Sequence, residues 1–267
     1  MPQSRRSFAS LVAISVLFGG LRAAAASEGQ DFVVSNKVFP PEMKEPVEST
    51  TIFSDGRVYD FLQTKDGSVF EAIIFDKPDD LIILLDPNRK MKTQFTTGEV
   101  STQIGKLHEA ARQWRKDGFV KFSATPRFSE RVDAKTGAVI LDGNEYIRYV
   151  VYTEAPKNPF SAKIYNEAAD WLAQTNALLN PTKPPFPRLK LNEVLKKRQE
   201  IPVSIERTDH PGQGRKEMKI RSEHRIQWGL GVKDKQRIEE IGNQLHTFNQ
   251  VSFEEYHRVP EDEQARK

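Results

Sequence analysis

The sequence predicts an α+β protein built on a curved antiparallel β-sheet, with several amphipathic helices packed on the sheet. Three observations carry this prediction. A run of short apolar segments between Ser49 and Thr97 is broken by strong turn signals, which is typical of a meander of hairpins. Helical periodicity follows this run directly. Near the C-terminus, Lys216 to Leu230 alternates strictly between two parities, as a long half-buried strand does. Such a meander either stays open or curls into a half-open barrel.

The turn signals of the meander are "SDG", "KDG", "DKPDD" and "DPNRK". Asp-Gly and Pro-Asp pairs favour tight turns because glycine tolerates positive φ and proline presets its own φ. Two of the strands, Val69 to Phe75 and Leu81 to Leu85, are apolar at odd and even positions alike, so both of their faces need cover. The next strand, Met91 to Thr97, alternates and shows one face to water.

The middle of the chain is predicted to hold a helix, four strands and a second helix. The first helix is capped at Ser101 and carries an apolar stripe of Ile104, Leu107, Ala111 and Trp114. The strands are Phe119 to Ala124, Arg127 to Val132, Ala138 to Leu141 and Glu145 to Thr153. The second helix begins near Pro159, where the missing N–H costs nothing, and ends before Pro181.

The last third begins with the proline-rich stretch "NPTKPPFPR", Asn180 to Arg188, which predicts an extended connector. The elements predicted after it are a helix at Leu191 to Arg198, a strand at Ile201 to Thr208, the long amphipathic strand, and a helix from Asp234 to Phe248. The predicted division is therefore a signal peptide (1–26), the sheet with its helices (27–180), the connector and short helix (181–200), a C-terminal strand pair and helix on the same sheet (201–258) and a frayed tail (259–267).

The N-terminal sequence predicts export. It has a basic start, a short apolar stretch from Ala9 to Leu21, and small residues up to Ala26. The apolar stretch is shorter than the roughly 20 residues that span a bilayer, so no transmembrane segment is expected in the mature chain. Arg5 and Arg6 fit the twin-arginine export pattern, and an ordinary signal that happens to carry two arginines is the alternative. The expected location is periplasmic or extracellular.

Charge and cysteine content exclude several classes of function. The chain has 40 basic and 37 acidic residues, and the predicted signal peptide holds three of the basic ones, which leaves the mature chain neutral. Nucleic acid and anionic membranes bind a concentrated basic face, so neither is expected as the main partner. The chain has no cysteine, so disulfides are absent.

In outline, the signal peptide, the meander from Ser49 to Thr97, the following helix and the second meander from Phe119 to Thr153 resemble the LolA-like lipoprotein-carrier fold. The resemblance implies a half-open barrel whose concave apolar face shields acyl chains between membranes. It covers about half of the mature chain, without a match to a family motif. The segment from Ile201 to Phe253 has no counterpart in it.

A hydrophobic ligand, if the protein binds one, is expected on the apolar strands. The residues predicted to surround it are Phe61, Phe70, Ile73, Phe75, Ile83 and Leu85. The alternative is that these side chains form a closed core beneath the protein's own helices. Burial stabilises each side chain by ~1.5–3 kcal/mol in either case, so only the presence of a cavity distinguishes the two.

His224 is the candidate polar site residue, because it is the one polar ring on the apolar face of the long strand, with Ser222 on the same side. Residues two apart on a strand lie ~6.6 Å apart, which predicts that no direct hydrogen bond joins them. A histidine in the core or at an edge is the alternative. No catalytic residue, metal ligand set or cofactor site is predicted, since "HEAAR" at His108 lacks the second histidine of a zinc helix.

These observations favour an exported, non-enzymatic protein that binds an apolar ligand, such as a lipid or acyl chain, or a protein partner at its curved sheet. An envelope scaffold with a closed core is the second hypothesis. An exported cofactor-dependent enzyme is the third, and polar groups converging on His224 would favour it.

Overall fold

A computed structural model of the chain describes residues 31–41, 43, 45–64, 66–113, 117–210 and 214–258. The predicted signal peptide (1–26) and the predicted tail (259–267) lie outside the described residues, as does Trp114 of the first predicted helix. Within the described part, no helix combines the length and apolar character needed to cross a membrane.

Twelve strands form a single sheet in the order β12-β6-β5-β4-β3-β2-β1-β11-β10-β9-β8-β7. The strands are β1 (Phe32–Phe39), β2 (Val47–Ser54), β3 (Arg57–Gln63), β4 (Val69–Asp76), β5 (Leu81–Asp86), β6 (Met91–Thr96), β7 (Ser129–Val132), β8 (Val139–Gly143), β9 (Ile147–Glu154), β10 (Ile201–Asp209), β11 (Met218–Trp228) and β12 (Asn249–Gln250). The helices are α1 (Thr97–Gln113), α2 (Gly118–Ala124), α3 (Pro159–Leu179), α4 (Phe186–Arg198), α5 (Val232–Thr247) and α6 (Phe253–His257).

All strand pairs are antiparallel except β12 with β6. The two strands at the ends of the order, β12 and β7, do not pair with each other, so the curved sheet is open. The predicted α+β fold with an antiparallel sheet and packed helices is therefore confirmed.

Strand β1 joins the two halves of the sheet and was not predicted. It pairs with β2 on one side and with β11 on the other, so the N-terminal meander and the strands β7–β11 form one continuous sheet. The alternation predicted for β11 is confirmed, because exposed and half-buried residues alternate along its length from Lys219.

Two local predictions are wrong. Phe119 to Ala124, predicted as a strand, lies in helix α2, because Oδ1 of Asp117 caps its first turn by accepting from the backbone N–H groups of Phe119 (2.9 Å) and Val120 (3.2 Å). Helix α1 begins at Thr97, before the predicted cap Ser101. Its start is fixed by a capping box, in which Oγ1 of Thr96 accepts from the Glu99 N–H (3.1 Å) and Oε2 of Glu99 accepts from the Thr96 N–H (2.7 Å).

Of the two helices beside the proline-rich connector, α3 starts where it was predicted to start and α4 starts earlier. Helix α3 starts at Pro159 as predicted, with Asn158 Oδ1 accepting from the N–H of Ser161 at 2.9 Å. Helix α4 starts at Phe186, earlier than predicted, so the end of the connector is helical. This places Arg188 in the first turn of α4.

Both faces of the sheet are covered by helices. We call the side that carries Phe32 and Phe53 the inner face; helices α1, α3 and α6 pack there. The opposite side, the outer face, carries Ile52 and Leu85 and is covered by α5 through Ile241. A third cluster packs α2 and α4 on β8–β10. Strands β4 and β5, which are apolar on both faces, are thus covered on both sides by helices of the same chain.

Candidate ligand cavity

The six apolar residues predicted to line a ligand site do not share one cavity. Phe61, Ile83 and Leu85 lie in the core of the outer face. Ile73 and Phe75 lie in the core of the inner face. Phe70 is half-buried, beside the register shift between β3 and β4. Phe61 also borders a cavity of about 330 Å³ next to α5. The assignment of these residues to a ligand stays a prediction.

The inner face changes from apolar to polar along its strands. One row across the sheet, read from β11 to β4, is wholly apolar: Trp228, Phe32, Phe53, Val58 and Phe75. The next row on the same face lies two residues further along each of these strands. It consists of Ile226, Val34, Thr51, Asp60 and Ile73. Two positions further, β11, β1 and β2 present His224, Asn36 and Ser49. Because side chains on a strand alternate between faces, these polar groups share one side of the sheet.

Helix α3 crosses this polar region and leaves a cavity of about 250 Å³ between itself and the sheet. The polar lining residues are Asn36, Ser49, Thr51, Asp60, Tyr165, Asn176, Arg188, Ser222 and His224. The apolar ones are Val38, Phe53, Ala168, Ala169, Leu172 and Ala173. The cavity therefore has a polar floor on the sheet and a largely apolar wall of small side chains on the helix.

Asp60 is the buried carboxylate of the cavity, with 9% of its surface exposed. It accepts a hydrogen bond from Oγ1 of Thr51 at 2.6 Å. The pKa of Asp60 is raised to about 6: burial is the main cause and the neighbouring Glu71 adds to it, while the hydroxyls of Thr51 and Ser49 act in the opposite direction. The carboxylate is thus stabilised by neutral donors, and its charged form is disfavoured.

Asn36 organises the hydroxyl groups around Asp60. Its Nδ2 donates to Oγ of Ser49 at 3.1 Å and to Oγ1 of Thr51 at 3.2 Å. An amide nitrogen can only donate, so the two hydroxyl oxygens accept from Asn36 and keep their own protons free for the carboxylate. The three strands β1, β2 and β3 are in this way joined by side chains as well as by their backbones.

His224 lies on the other side of the cavity floor, and its Nε2 is 2.9 Å from Oγ of Ser222. The prediction that the two are too far apart for a hydrogen bond is therefore wrong, because side chains lean along a strand and the imidazole spans the distance between the Cα atoms. The Nδ1 atom is 3.4 Å from the hydroxyl of Tyr165. Burial and the charge of Arg188 lower the pKa of His224 to about 4, so the ring is neutral at pH 7.

Arg188 reaches the cavity from helix α4 and is oriented by two hydrogen bonds in series. Its Nε donates to Oδ1 of Asn192 at 2.9 Å, and Nδ2 of Asn192 donates to Oδ1 of Asp170 at 2.8 Å. Burial raises the pKa of the Tyr165 hydroxyl, and the adjacent Arg188 partly offsets this. The guanidinium thus lies close to both Tyr165 and His224.

Polar groups do converge on His224, but their arrangement favours binding over nucleophilic catalysis. A general base works best when its pKa lies near the working pH, and His224 is a weak base. The group at its Nδ1 is the Tyr165 hydroxyl, where a Ser-His pair is usually oriented by a carboxylate. Across the described residues, acidic and histidine side chains nowhere gather in a group of three that could hold a metal ion.

Comparison with known proteins does not assign the chain to a family. No protein-family model and no curated protein matches the chain. A solved structure from Vibrio parahaemolyticus, described as an outer membrane lipoprotein-sorting protein domain, is similar over 79% of this chain and 90% of that chain, with 9% sequence identity and a TM-score of 0.27.

Proposed function

We propose that the protein is an exported, non-enzymatic binding protein of the cell envelope, whose ligand is a lipid or another amphiphile held between the inner face of the sheet and helix α3. The observation that carries the proposal is the cavity of about 250 Å³ with a polar floor and an apolar wall. Ligand sites typically combine an apolar lining with a few placed polar groups, and this cavity has that combination.

The two walls suggest how an amphiphile would lie. Its polar group would contact the floor, where Asn36 and Ser222 offer hydrogen-bonding groups, and the hydroxyl of Tyr165 on α3. Its apolar part would follow the stripe of Ala169, Leu172 and Ala173 on α3, which faces the cavity at helical spacing. The volume is slightly below the roughly 300–1,000 Å³ of common ligand sites, which favours one small amphiphile or the polar end of a larger one over several acyl chains.

The sequence-predicted residues provide a second candidate location. Phe61 borders the cavity of about 330 Å³ beneath α5, together with Ile241 and the charged Arg237 and Glu240. A ligand reaching Ile83 and Leu85 from there would have to displace α5, which packs on both apolar positions through the same core. The inner cavity needs no such displacement, so we place the ligand there first.

Export is proposed from the N-terminal sequence. The basic start, the short apolar stretch and the small residues before Ser27 support transfer to the periplasm, and Arg5 and Arg6 support the twin-arginine route. Both export routes deliver the mature chain to a compartment where lipids and lipid-linked molecules move between membranes. This setting suits a protein that shelters an amphiphile.

The proposal is tested by native mass spectrometry of the mature protein, purified from its exported compartment without detergent, followed by solvent extraction. We expect a stoichiometric adduct that is released as an amphiphilic molecule. The variant Ala173→Phe fills the apolar wall and should lose most of the adduct. Ala110→Phe places the same substitution on an exposed position of α1 and should retain it.

A clean apo mass with no uptake of offered lipids would contradict the proposal. The covered faces of the sheet would then favour the closed-core scaffold, whose partner would be another envelope protein. Loss of the adduct in both Ala173→Phe and Ala110→Phe would show that the adduct is not bound in the cavity. Thermal unfolding of each variant by circular dichroism shows whether the fold is intact.

A further inference from the structure

We infer that the cavity selects an amphiphile with an anionic headgroup, a carboxylate or a phosphate ester, and that Arg188 is the cationic partner of this group. The inference rests on the proposed function and names the class of ligand for the same site. It is carried by the position of Arg188 at the border of the cavity and by the hydrogen bonds that hold its guanidinium there.

Arg188 differs from four of the other half-buried arginines among the described residues, each of which pairs with a carboxylate; the fifth, Arg237, lies over the ring of Phe61. Arg57 pairs with Asp76 at 2.8 Å, and Arg198 pairs with Glu200 at 2.9 Å. The same holds for the pairs Arg89 with Asp86 and Arg207 with Asp209, both at 2.6 Å. Within the described residues, Arg188 forms no such ion pair, although it is half-buried and borders a cavity. A partly desolvated guanidinium without an anion is costly, and a bound anion removes that cost.

The guanidinium is also oriented for a ligand. Its Nε donates to Asn192, and Asn192 donates in turn to Asp170. These two hydrogen bonds orient the guanidinium group from the side away from the cavity. The guanidinium also lies within hydrogen-bonding reach of the Tyr165 hydroxyl at the cavity. A planar fork of N–H donors matches the oxygens of a carboxylate or phosphate, and a charge-assisted hydrogen bond of this kind is about twice as strong as a neutral one.

The remaining ionisable groups of the cavity differ in charge. Asp60 already receives the Thr51 hydroxyl at 2.6 Å, and its pKa of about 6 leaves the carboxylate mostly ionised at pH 7 and neutral at lower pH. His224 is neutral at pH 7, because burial and Arg188 itself lower its pKa. Arg188 is thus the permanent positive charge among the described lining residues, while Ser222 and Tyr165 add hydroxyl donors beside it.

The experiment is calorimetric titration of the mature protein at low salt with four probes, each below its aggregation limit. Decanoate and decyl phosphate carry the anionic headgroups, decanol carries the same chain with a neutral group, and inorganic phosphate carries the anion without a chain. We expect decanoate and decyl phosphate to bind at least tenfold more tightly than decanol. Inorganic phosphate should bind more weakly than decyl phosphate.

Variants assign the preference to Arg188. Arg188→Gln should reduce the preference for decanoate over decanol to less than twofold, whereas Arg188→Lys should retain part of the preference. Arg225→Gln, at an exposed position of β11 on the outer face, is the matched control and should bind like the wild type.

Four results would overturn the inference, and they separate it from the proposed function. Equal binding of decanoate and decanol would overturn the headgroup assignment but leave the amphiphile site intact. A preference for decanoate that survives Arg188→Gln would have the same consequence. Binding of inorganic phosphate as tight as that of decyl phosphate identifies a free-anion site and rejects the amphiphile. If no probe binds, the proposed function fails and the inference fails with it.

Discussion

Oγ1 of Thr51 donates a hydrogen bond of 2.6 Å to the carboxylate of Asp60, from the directly paired position on the neighbouring strand. Two further hydroxyl and amide groups, Ser49 and Asn36, complete the network on the inner face. Within the described residues, no cation pairs with Asp60. The sheet therefore carries a buried carboxylate whose charge is stabilised by neutral groups alone, and this has measurable consequences for stability and pH.

The first prediction concerns Asp60 and pH. The folded pKa of about 6 exceeds the ordinary value of 3.8, so between these values the folded state binds more protons than the unfolded state. The stability contributed by Asp60 is present at pH 4 and is lost as the pH rises through 6. Relative to wild type, we expect Asp60→Asn to gain about 2 kcal/mol in unfolding free energy between pH 4.5 and pH 7. Denaturant unfolding at both pH values measures this.

Taking the difference between variant and wild type at each pH cancels the other titrating groups, provided that they are not coupled to Asp60. A difference in unfolding free energy that stays constant from pH 4.5 to pH 7 would contradict the raised pKa. Thr93→Val, a buried position on β6 without an ionisable group, serves as a control and should show no pH-dependent difference.

The second prediction compares two adjacent threonines. Thr51 donates to a carboxylate on the inner face, and Thr50 donates to the neutral amide oxygen of Gln63 on the outer face, at 3.0 Å. Both side chains are buried. Hydrogen bonds to charged groups contribute about 1.5–3 kcal/mol and neutral ones about 0.5–1.5 kcal/mol, so Thr51→Val should destabilise the protein more than Thr50→Val at pH 7.

At pH 4.5, where Asp60 is protonated, the two threonine variants should become similar. Denaturant unfolding of both variants at the two pH values provides the comparison. Equal losses at pH 7 would show that Thr51 does not stabilise a charged carboxylate.

Much of the fold could be predicted from the sequence because its signals are local. The alternation of β11 and the apolar stripe of α5 each follow from one periodicity, and the turns of the meander follow from Asp-Gly and Pro-Asp pairs. Strand β1 was not predicted from the sequence, because "FVVSNKVF" is apolar at its start and polar in its middle and so lacks a clear alternation. That polarity belongs to the cavity, since Asn36 lies on its floor.

The cavity could not be predicted because it depends on register. Asp60, Thr51 and Asn36 come from three strands and meet only when β1, β2 and β3 pair as they do. One local signal was available: Thr51 and Ser49 share a parity with Phe53, and Asp60 shares one with Val58, so a polar interruption of the inner face could have been inferred. Arg188 joins them from a proline-rich segment that was predicted to be extended.

The third prediction concerns the protonation of His224. Its folded pKa of about 4 lies below the ordinary 6.5, so its ring should stay neutral down to pH 5. The sign is opposite to that of Asp60: the unfolded state binds more protons here, and stability is lost as the pH falls from 6.5 towards 4. NMR titration of the ring signal, assigned by its absence in His224→Gln, measures the pKa directly.

Arg188→Gln should raise the pKa of His224, because the Arg188 charge is one of the causes that lower it. A ring that titrates near 6.5 in the wild type would show that the histidine is hydrated rather than enclosed by the cavity. A pKa unchanged by Arg188→Gln would place the guanidinium further from the imidazole than the structure does.

The fourth prediction tests whether α5 is the permanent cover of the outer face. Ile241 is its fully buried residue and packs in the same core as Ile83 and Leu85. Ile241→Ala should destabilise the protein by about 2–5 kcal/mol, because it removes buried side-chain volume from a closed core. Glu239→Ala, on the exposed side of the same helix, should change the unfolding free energy by less than about 0.5 kcal/mol. If α5 instead opened to admit a ligand onto Phe61, Ile241→Ala would cost little in the ligand-free protein and would alter lipid uptake, which the same mass-spectrometric assay detects.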